Sequence, residues 1–546
     1  MRSSLPTALR ALVLALAAGL AFGADASAPI KIWVALKDKG PAAAGGGSAS
    51  APGAAVPGAS ARAFEDLPVY APYVAALELR GFKADVSLKW QNRVSGYVDA
   101  EAVARLRALP FVAGIAAMPR KAKAIPLPFT PAPWRPNLLA KRAAEGLDYG
   151  QGRPLMESLH VDKVHAYMIA SGMAPGRGVR VAVIDADFHL GSPIFAAMKG
   201  RIRDQYDFVD KKPITVTDSL KDSHGAECMS LIGGNVPGTL VGVAPEADFL
   251  LYRAEEDAQE RYVEEDYVAA AIERAVDSGA QVISISLGYR YDYTDGSPDL
   301  PFAEFDGRTR PSSLAALGAA RRNVLVSVSM GNDGVRSGAV PSISAPADAD
   351  SILAVGIADP FRRKCPYSSI GPSADGRVKP DILSMGVAGA CNVAVADPLS
   401  DSAAVNDFAG TSFAAPVLAG IAASLRQLRP ALTAEDIRQA LITTADRYAQ
   451  PDSGRGYGVA DAVAAARKLG IPINPPLVET GNARMYHRGG AIPMVLGWAP
   501  GMPRPDLRMI DLSGRRIPIT VQAAGGLLYV TPDHPLQTGI YIAHIP

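Results

Sequence analysis

Five short apolar runs recur along the middle of the chain: VRVAVID (179–185), DFLLYRA (248–254), AQVISISLG (280–288), RNVLVSVSMGN (322–332) and DSILAVGI (350–357). Each is flanked by Gly or Asp, and segments with apolar residues at helical spacing, such as 267–276 and 314–320, lie between several of them. A strand that is apolar on both faces has to be covered on both. Continuous apolar strands separated by helices therefore predict an α/β domain with a buried, doubly wound parallel sheet. In such sheets the chemistry gathers where the carboxyl ends of the strands meet the loops.

The flanks have other textures. Arg2 and Arg10, an uncharged run over Ala11–Phe22 and small residues at 23–26 read as an export signal over residues 1–23, too short in its apolar part to span a bilayer. Residues 41–60 are almost entirely Ala, Gly, Pro and Ser, which bury too little apolar surface to order themselves. The five prolines of 125–136 favour an extended connector, within a linker placed at 125–150. Between these stretches, strand patterns at 31–36 and 85–99 alternate with helix patterns at 74–80 and 102–109, which suggests a small α/β sandwich. Beyond residue 470 the helix signal stops, and AGGLLYV and TGIYIAHI read as short strands of a small all-β domain over 471–546. With 55 basic against 54 acidic side chains, the chain has no broad positive field for a nucleic acid. Three cysteines, Cys228, Cys365 and Cys391, permit at most one bridge, and their spacing does not say which.

Three residues carry candidate chemistry. Asp185 closes VAVID, where a carboxylate emerges at the sheet edge or merely caps a turn; His224 lies in DSHGAECMSLIGG before a helical run; Ser412 heads the long Ala-rich helix of FAGTSFAAPVLAGIAASL. A serine there is usually a cap. As a nucleophile it would also gain from the positive helix end and its converging N–H groups. The order Asp, His, Ser is one of the known orders of a catalytic triad, and Asn332 in SMGNDG supplies an amide donor for a tetrahedral oxyanion.

On these motifs the chain resembles the subtilisin-like serine proteases over roughly 149–469, in GTSFAAP, SHGAECMS, MGNDG, ISISLG, VGVAPEADFLLYRA, YSSIGPSADGRVKPDI and GYGVADA. The resemblance implies a catalytic domain over 151–470, in which Ser412 attacks the carbonyl, His224 acts as base and then acid, Asp185 orients His224, and Asn332 donates to the oxyanion. It further implies that Ser286, Leu287, Gly288, Ser329, Met330 and Gly331 line a cleft for an extended protein or peptide substrate. The chemistry needs no cofactor; structural calcium is common in the family, but the sequence names no ligands. His160, His165, His189, His487, His534 and His544 have no partner at metal spacing. The segment 28–124, ending in LRALPFVAGIAAM, resembles the propeptide that blocks the cleft of such proteases, and the end of the chain, with MIDLSGRRI from Met509, resembles C-terminal sorting domains that engage secretion machinery. The expected product is a secreted or surface-located endopeptidase made as an inactive precursor. The rival readings are a catalytically impaired scaffold for surface binding and an ester hydrolase, although Gly410-Thr411-Ser412-Phe413-Ala414 departs from the esterase elbow G-x-S-x-G.

Three departures from the family pattern stand out. Asp-Ser/Thr-Gly becomes Asp185-Ala186-Asp187, Ala226 replaces the Thr common after His-Gly, and Met330 replaces a small residue. Alternation along an extended backbone places Asp187 on the same face as Asp185, where a like charge would raise its pKa. Met330 is expected to narrow the pocket for the side chain preceding the scissile bond.

Overall fold

The computed structural model describes residues 29–41, 64–118, 147–213, 223–256, 259–337, 340–386, 391–473 and a series of strands between 481 and 545. The expected export signal, nearly all of the low-complexity stretch at 41–60 and the proline-rich stretch at 125–136 lie outside these residues.

The apolar runs become the strands of one seven-stranded, wholly parallel sheet. In chain order its strands are β5 (Arg180–Asp185), β6 (Ile202–Asp207), β7 (Asp248–Arg253), β8 (Val282–Ile285), β9 (Leu325–Ser329), β10 (Leu353–Ala358) and β11 (Ile382–Met385), arranged β11-β10-β9-β8-β5-β7-β6. Along β5 the side chains alternate between two cores: Val181 and Val183 join one apolar cluster, Ala182 and Ile184 the other. The first cluster lies under α4 (His224–Gly233) and α7 (Ala414–Leu428), the second under α5 (Glu264–Asp277) and α6 (Pro311–Arg321). Both faces are therefore dry, as the sequence pattern requires. From β5 the chain builds outward through β6 and β7, then crosses to β8 on the other side, so the carboxyl ends of β5 and β8 flank the switch point.

Upstream, β1 (Ile30–Leu36), β2 (Lys83–Leu88), β3 (Arg93–Val98) and β4 (Val112–Ala117) form an antiparallel sheet in the order β2-β3-β1-β4, with α1 (Ala71–Glu78) and α2 (Ala102–Arg107). This unit sits on the outer faces of α5 and α6. Trp33 Nε1 donates to both oxygens of Asp266 (3.0 and 2.8 Å), and the backbone N–H groups of Lys89 and Trp90 donate to the two oxygens of Glu273 (2.9 and 3.0 Å). The Trp90 ring covers Gly318, where a Cβ would come within 2.7 Å of it. Burial pushes the Glu273 carboxyl up to about 7 against the pull of the two N–H groups.

At the other end, the strands Gly481–Gly490, Leu536–Ile545, Arg508–Asp511 and Arg516–Ile517 form one sheet, and Met494–Gly497, Leu527–Pro532 and Ile519–Ala524 another. Among the described residues no helix is long and apolar enough to cross a membrane.

Candidate active site

β5 ends on Asp185, whose side chain is fully buried. Its Oδ1 accepts from the N–H of Ala186 (2.9 Å) and from His224 Nδ1 (2.6 Å). Bound in this way, His224 carries its proton on Nδ1 and turns a basic Nε2 outward. Asp185 Oδ2 is buried with no hydrogen-bond partner among the described residues, and Ala186 has no hydroxyl to offer it.

His224 is the first residue of α4, and the glycine after it has a steric reason. A Cβ on Gly225 would lie 2.8 Å from the Asp187 carbonyl oxygen, 3.0 Å from Asp185 Cβ and 3.1 Å from the Phe188 ring. The Ala226 N–H donates to the same Asp187 carbonyl (3.2 Å), so the first turn of α4 is docked directly on the chain leaving β5. One turn further on, Cys228 Sγ lies 3.9–4.0 Å from the two imidazole nitrogens and 3.4 Å from the Ser412 carbonyl oxygen. Burial disfavours charge on His224, but the negative charge of Cys228, when ionised, and of Asp185, with the hydrogen bonds both make, outweighs it, and the net push on His224 is upward. Burial and the Asp185 charge push the Cys228 thiol up to about 12. That sulfur is thus neutral near pH 7, and Asp185 is the partner that counts.

Ser412 lies in a 3₁₀ turn (Thr411–Phe413) leading into α7, in which the Phe413 N–H donates to the Gly410 carbonyl (3.2 Å) and the Ala414 N–H to the Thr411 carbonyl. Its Oγ donates to the Ser286 carbonyl (3.3 Å), and Ser286 Oγ returns a bond to the Ser412 carbonyl (2.8 Å). No hydrogen bond joins Ser412 to His224 among the described residues; in unliganded enzymes such bonds are often long and tighten only around substrate.

Asn332 follows β9. Its Oδ1 accepts from the Thr411 N–H (2.9 Å) and the Thr411 hydroxyl (3.1 Å), which fixes the amide orientation and leaves Nδ2 to face Gly410. Gly331 has φ +99°, a left-handed value that favours glycine, and its N–H donates to Thr411 Oγ1 (3.1 Å). Ser286, Leu287, Ser329 and Met330 are all buried, and Met330 lies wholly within the core under α5 and α6. A Cβ on Gly288 would come within 2.5 Å of Ser344 Oγ.

The structure thus gathers Asp185, His224, Ser412 and Asn332 at the switch point. It adds roles for Thr411, Cys228 and Gly225, which lie within the motifs around the nucleophile and base. Asp187 differs from the sequence expectation: it is not left to face Asp185 bare but pairs with Arg253 Nε across the sheet. The cysteine question is settled as a Cys365–Cys391 disulfide with Cys228 free.

Two groups of three ligand-type side chains lie within 4.8 Å of one another among the described residues: Asp185, His224 and Cys228, and Glu255, Glu260 and Glu264. Calcium takes six to eight oxygens. The glutamates offer three carboxylates, and Glu264 already accepts from the N–H groups of Glu256 and Arg261 and from the Arg261 side chain. Neither group fits calcium.

Fold and site together define the class: a doubly wound α/β protein of subtilisin-like architecture, with an N-terminal domain docked on two of its helices. Residues 176–459, just over half of the chain, match the Subtilase family, and the chain belongs to that family. Residues 58–128 match the peptidase S8 propeptide domain described for Bacteroidota. Serine protease AprX of Bacillus subtilis is 27% identical over 303 residues, covering 51% of this chain and 63% of AprX, so the match spans less than two thirds of that relative's length. Subtilisin BL of Lederbergia lenta is 30% identical over 292 residues, covering 54% of this chain and 92% of that protein. Among solved structures, MycP1 with its N-terminal propeptide removed aligns at a TM-score of 0.44 and 25% identity, over 57% of this chain and 96% of MycP1.

Proposed function

We propose that this chain is an exported serine endopeptidase, made as an inactive precursor, that hydrolyses peptide bonds through an acyl-enzyme on Ser412. The observation that carries the reading is the Asp185–His224 hydrogen bond set beside a serine at a helix head and an asparagine whose amide is locked in one orientation. A serine hydroxyl is a poor nucleophile at neutral pH, so a base has to take its proton. In the reaction the Ser412 hydroxyl leaves the Ser286 carbonyl and donates to His224 Nε2. Asp185 holds the tautomer and stabilises the imidazolium that forms, and His224 then delivers the proton to the leaving amine. Negative charge developing on the substrate oxygen meets Asn332 Nδ2 and the backbone N–H of Ser412. The segments 286–288 and 329–331, which continue β8 and β9, are suited to pair with an extended peptide.

The propeptide-like domain supports synthesis as a precursor, and Arg2, Arg10 and the apolar run after Arg10 support export; delivery through the C-terminal strands belongs to the same proposal. A fluorophosphonate probe is expected to label the matured wild type and not Ser412→Ala. No labelling of the matured wild type would sink the reading in favour of a binding scaffold, and turnover of short-chain esters without turnover of unfolded casein would favour an ester hydrolase. Mass spectrometry of the mature termini is expected to find a new N-terminus between residues 120 and 152.

A further inference from the structure

The second carboxylate beyond the catalytic-acid position is built into the site through an arginine. Asp187 and Arg253 are both buried, and Arg253 stands opposite Asp185 in the β5–β7 ladder, where the next residue's N–H donates to the Asp185 carbonyl (2.9 Å). From there Arg253 Nε pairs with Asp187, while Nη1 reaches Asp207 Oδ2 at 3.1 Å and Asp210 Oδ2 at 3.5 Å. Asp207 is fixed in turn, since its Oδ1 accepts the N–H groups of Val209 and Asp210 at 2.9 Å. A planar guanidinium can serve several carboxylates at once in fixed geometry, which a point charge on a flexible stem cannot. The residue clamped in this way is the one whose carbonyl receives the Ala226 N–H of α4, directly behind His224.

We propose that Arg253 is a positioning residue for the Asp185–His224 pair: it neutralises Asp187 and fixes the backbone on which the first turn of α4 is docked. The inference rests on the protease reading given above. In an extended segment the Asp185 and Asp187 Cα atoms are at most about 7 Å apart. Without Arg253, Asp187 becomes a second negative charge beside the site, and a negative charge stabilises the imidazolium. His224 has to be neutral to accept the Ser412 proton, so the acid limb of activity moves to higher pH. The charged or titratable groups facing His224 are Asp185 from β5, Cys228 from α4 itself and Glu255 from the loop after β7. Those facing Arg253 are Asp187, Asp207 and Asp210. Glu255 and Cys228 are common to every variant below, so they do not enter the comparison.

The test is the pH dependence of kcat/KM on a fluorogenic peptide, measured on the matured full chain. Arg253→Met is expected to raise the acid limb by about one pH unit, a roughly tenfold loss below it. Adding Asp187→Asn returns the limb to the wild-type position, and Asp187→Asn alone, which leaves Arg253 with surplus positive charge, lowers it. A limb unmoved in both single variants, or a shift that persists in the double variant, overturns the proposal. If Arg253→Met does not fold, the double variant and Asp187→Asn decide: the proposal requires the double's limb to lie above that of Asp187→Asn, and coincident limbs overturn it. A wild type inactive after maturation overturns the protease reading instead, whereas an active wild type with unmoved variants overturns this inference alone.

Discussion

Gly225→Ala separates the demands of the helix from those of the site. Alanine is the better helix former by up to about 1 kcal/mol, yet its Cβ would stand 2.8 Å from the Asp187 carbonyl oxygen and 3.0 Å from Asp185 Cβ. Ordinary contact begins near 3.4 Å, so the head of α4 has to retreat by about 0.6 Å from the end of β5. Neither obstacle is the tip of a flexible side chain; one is backbone and the other is the root of the acid itself. The retreat stretches the 2.6 Å bond between His224 and Asp185 beyond 3 Å and turns the imidazole away from Ser412. A misplacement of about 1 Å costs on the order of 10² in rate, so a ten- to hundredfold fall in kcat is expected. KM should change little, because the segments 286–288 and 329–331 belong to other elements. Overpacking costs about 1–3 kcal/mol against the propensity gain, which leaves the melting temperature within a few degrees of wild type. Steady-state kinetics on the matured enzyme, corrected by active-site titration, and calorimetry of the same samples measure both quantities. A kcat within threefold of wild type would refute the steric argument, and a melting temperature that collapses together with kcat would show that Gly225 serves the fold rather than the site.

Docking of the N-terminal domain is expected to weaken as pH rises. Glu273 is held at about 7 in the docked state against an ordinary value near 4.5, so the docked state binds the proton more tightly; its advantage is full below the ordinary value and is lost as pH climbs through 7, by up to about 3 kcal/mol. The rate of release after the first cleavage should therefore rise between about pH 4.5 and pH 7 in the wild type, and a Glu273→Gln variant that keeps the same rise would contradict the assignment. The Cys365–Cys391 disulfide closes a loop of 26 residues, and the loop-entropy relation assigns it about 3.5 kcal/mol. The double Cys→Ala variant should show a clearly lower urea midpoint, and a midpoint unchanged from wild type would mean that the bridge constrains nothing the fold does not already fix.

What the sequence made legible was whatever is carried by local pattern. The strands β5, β7, β8, β9 and β10 are apolar on both faces because the sheet is buried on both, and that alone marked them. β6 (IRDQYD) escaped because it is an edge strand whose polar residues have partners far along the chain: Asp204 accepts from Arg274, Tyr252 and Ser278. The same division runs through the site. Asp185, His224, Ser412 and Asn332 stood out because each sits in its own short motif. The choice of Cys391 as partner for Cys365, the Thr411 bonds that orient Asn332 and the Arg253 that balances Asp187 depend on how separate segments meet. The case of Asp187 shows why. Alternation along an extended backbone put a second carboxylate on the face of Asp185, but the consequence drawn from it, like-charge repulsion at the site, assumed that no cation comes from elsewhere. β7 supplies one at the register position opposite Asp185 itself, so a residue that reads as a defect in the one-dimensional motif is half of an ion pair in the sheet. A departure from a catalytic motif is thus to be judged against the strand that will pair beside it, before activity is inferred to be lost.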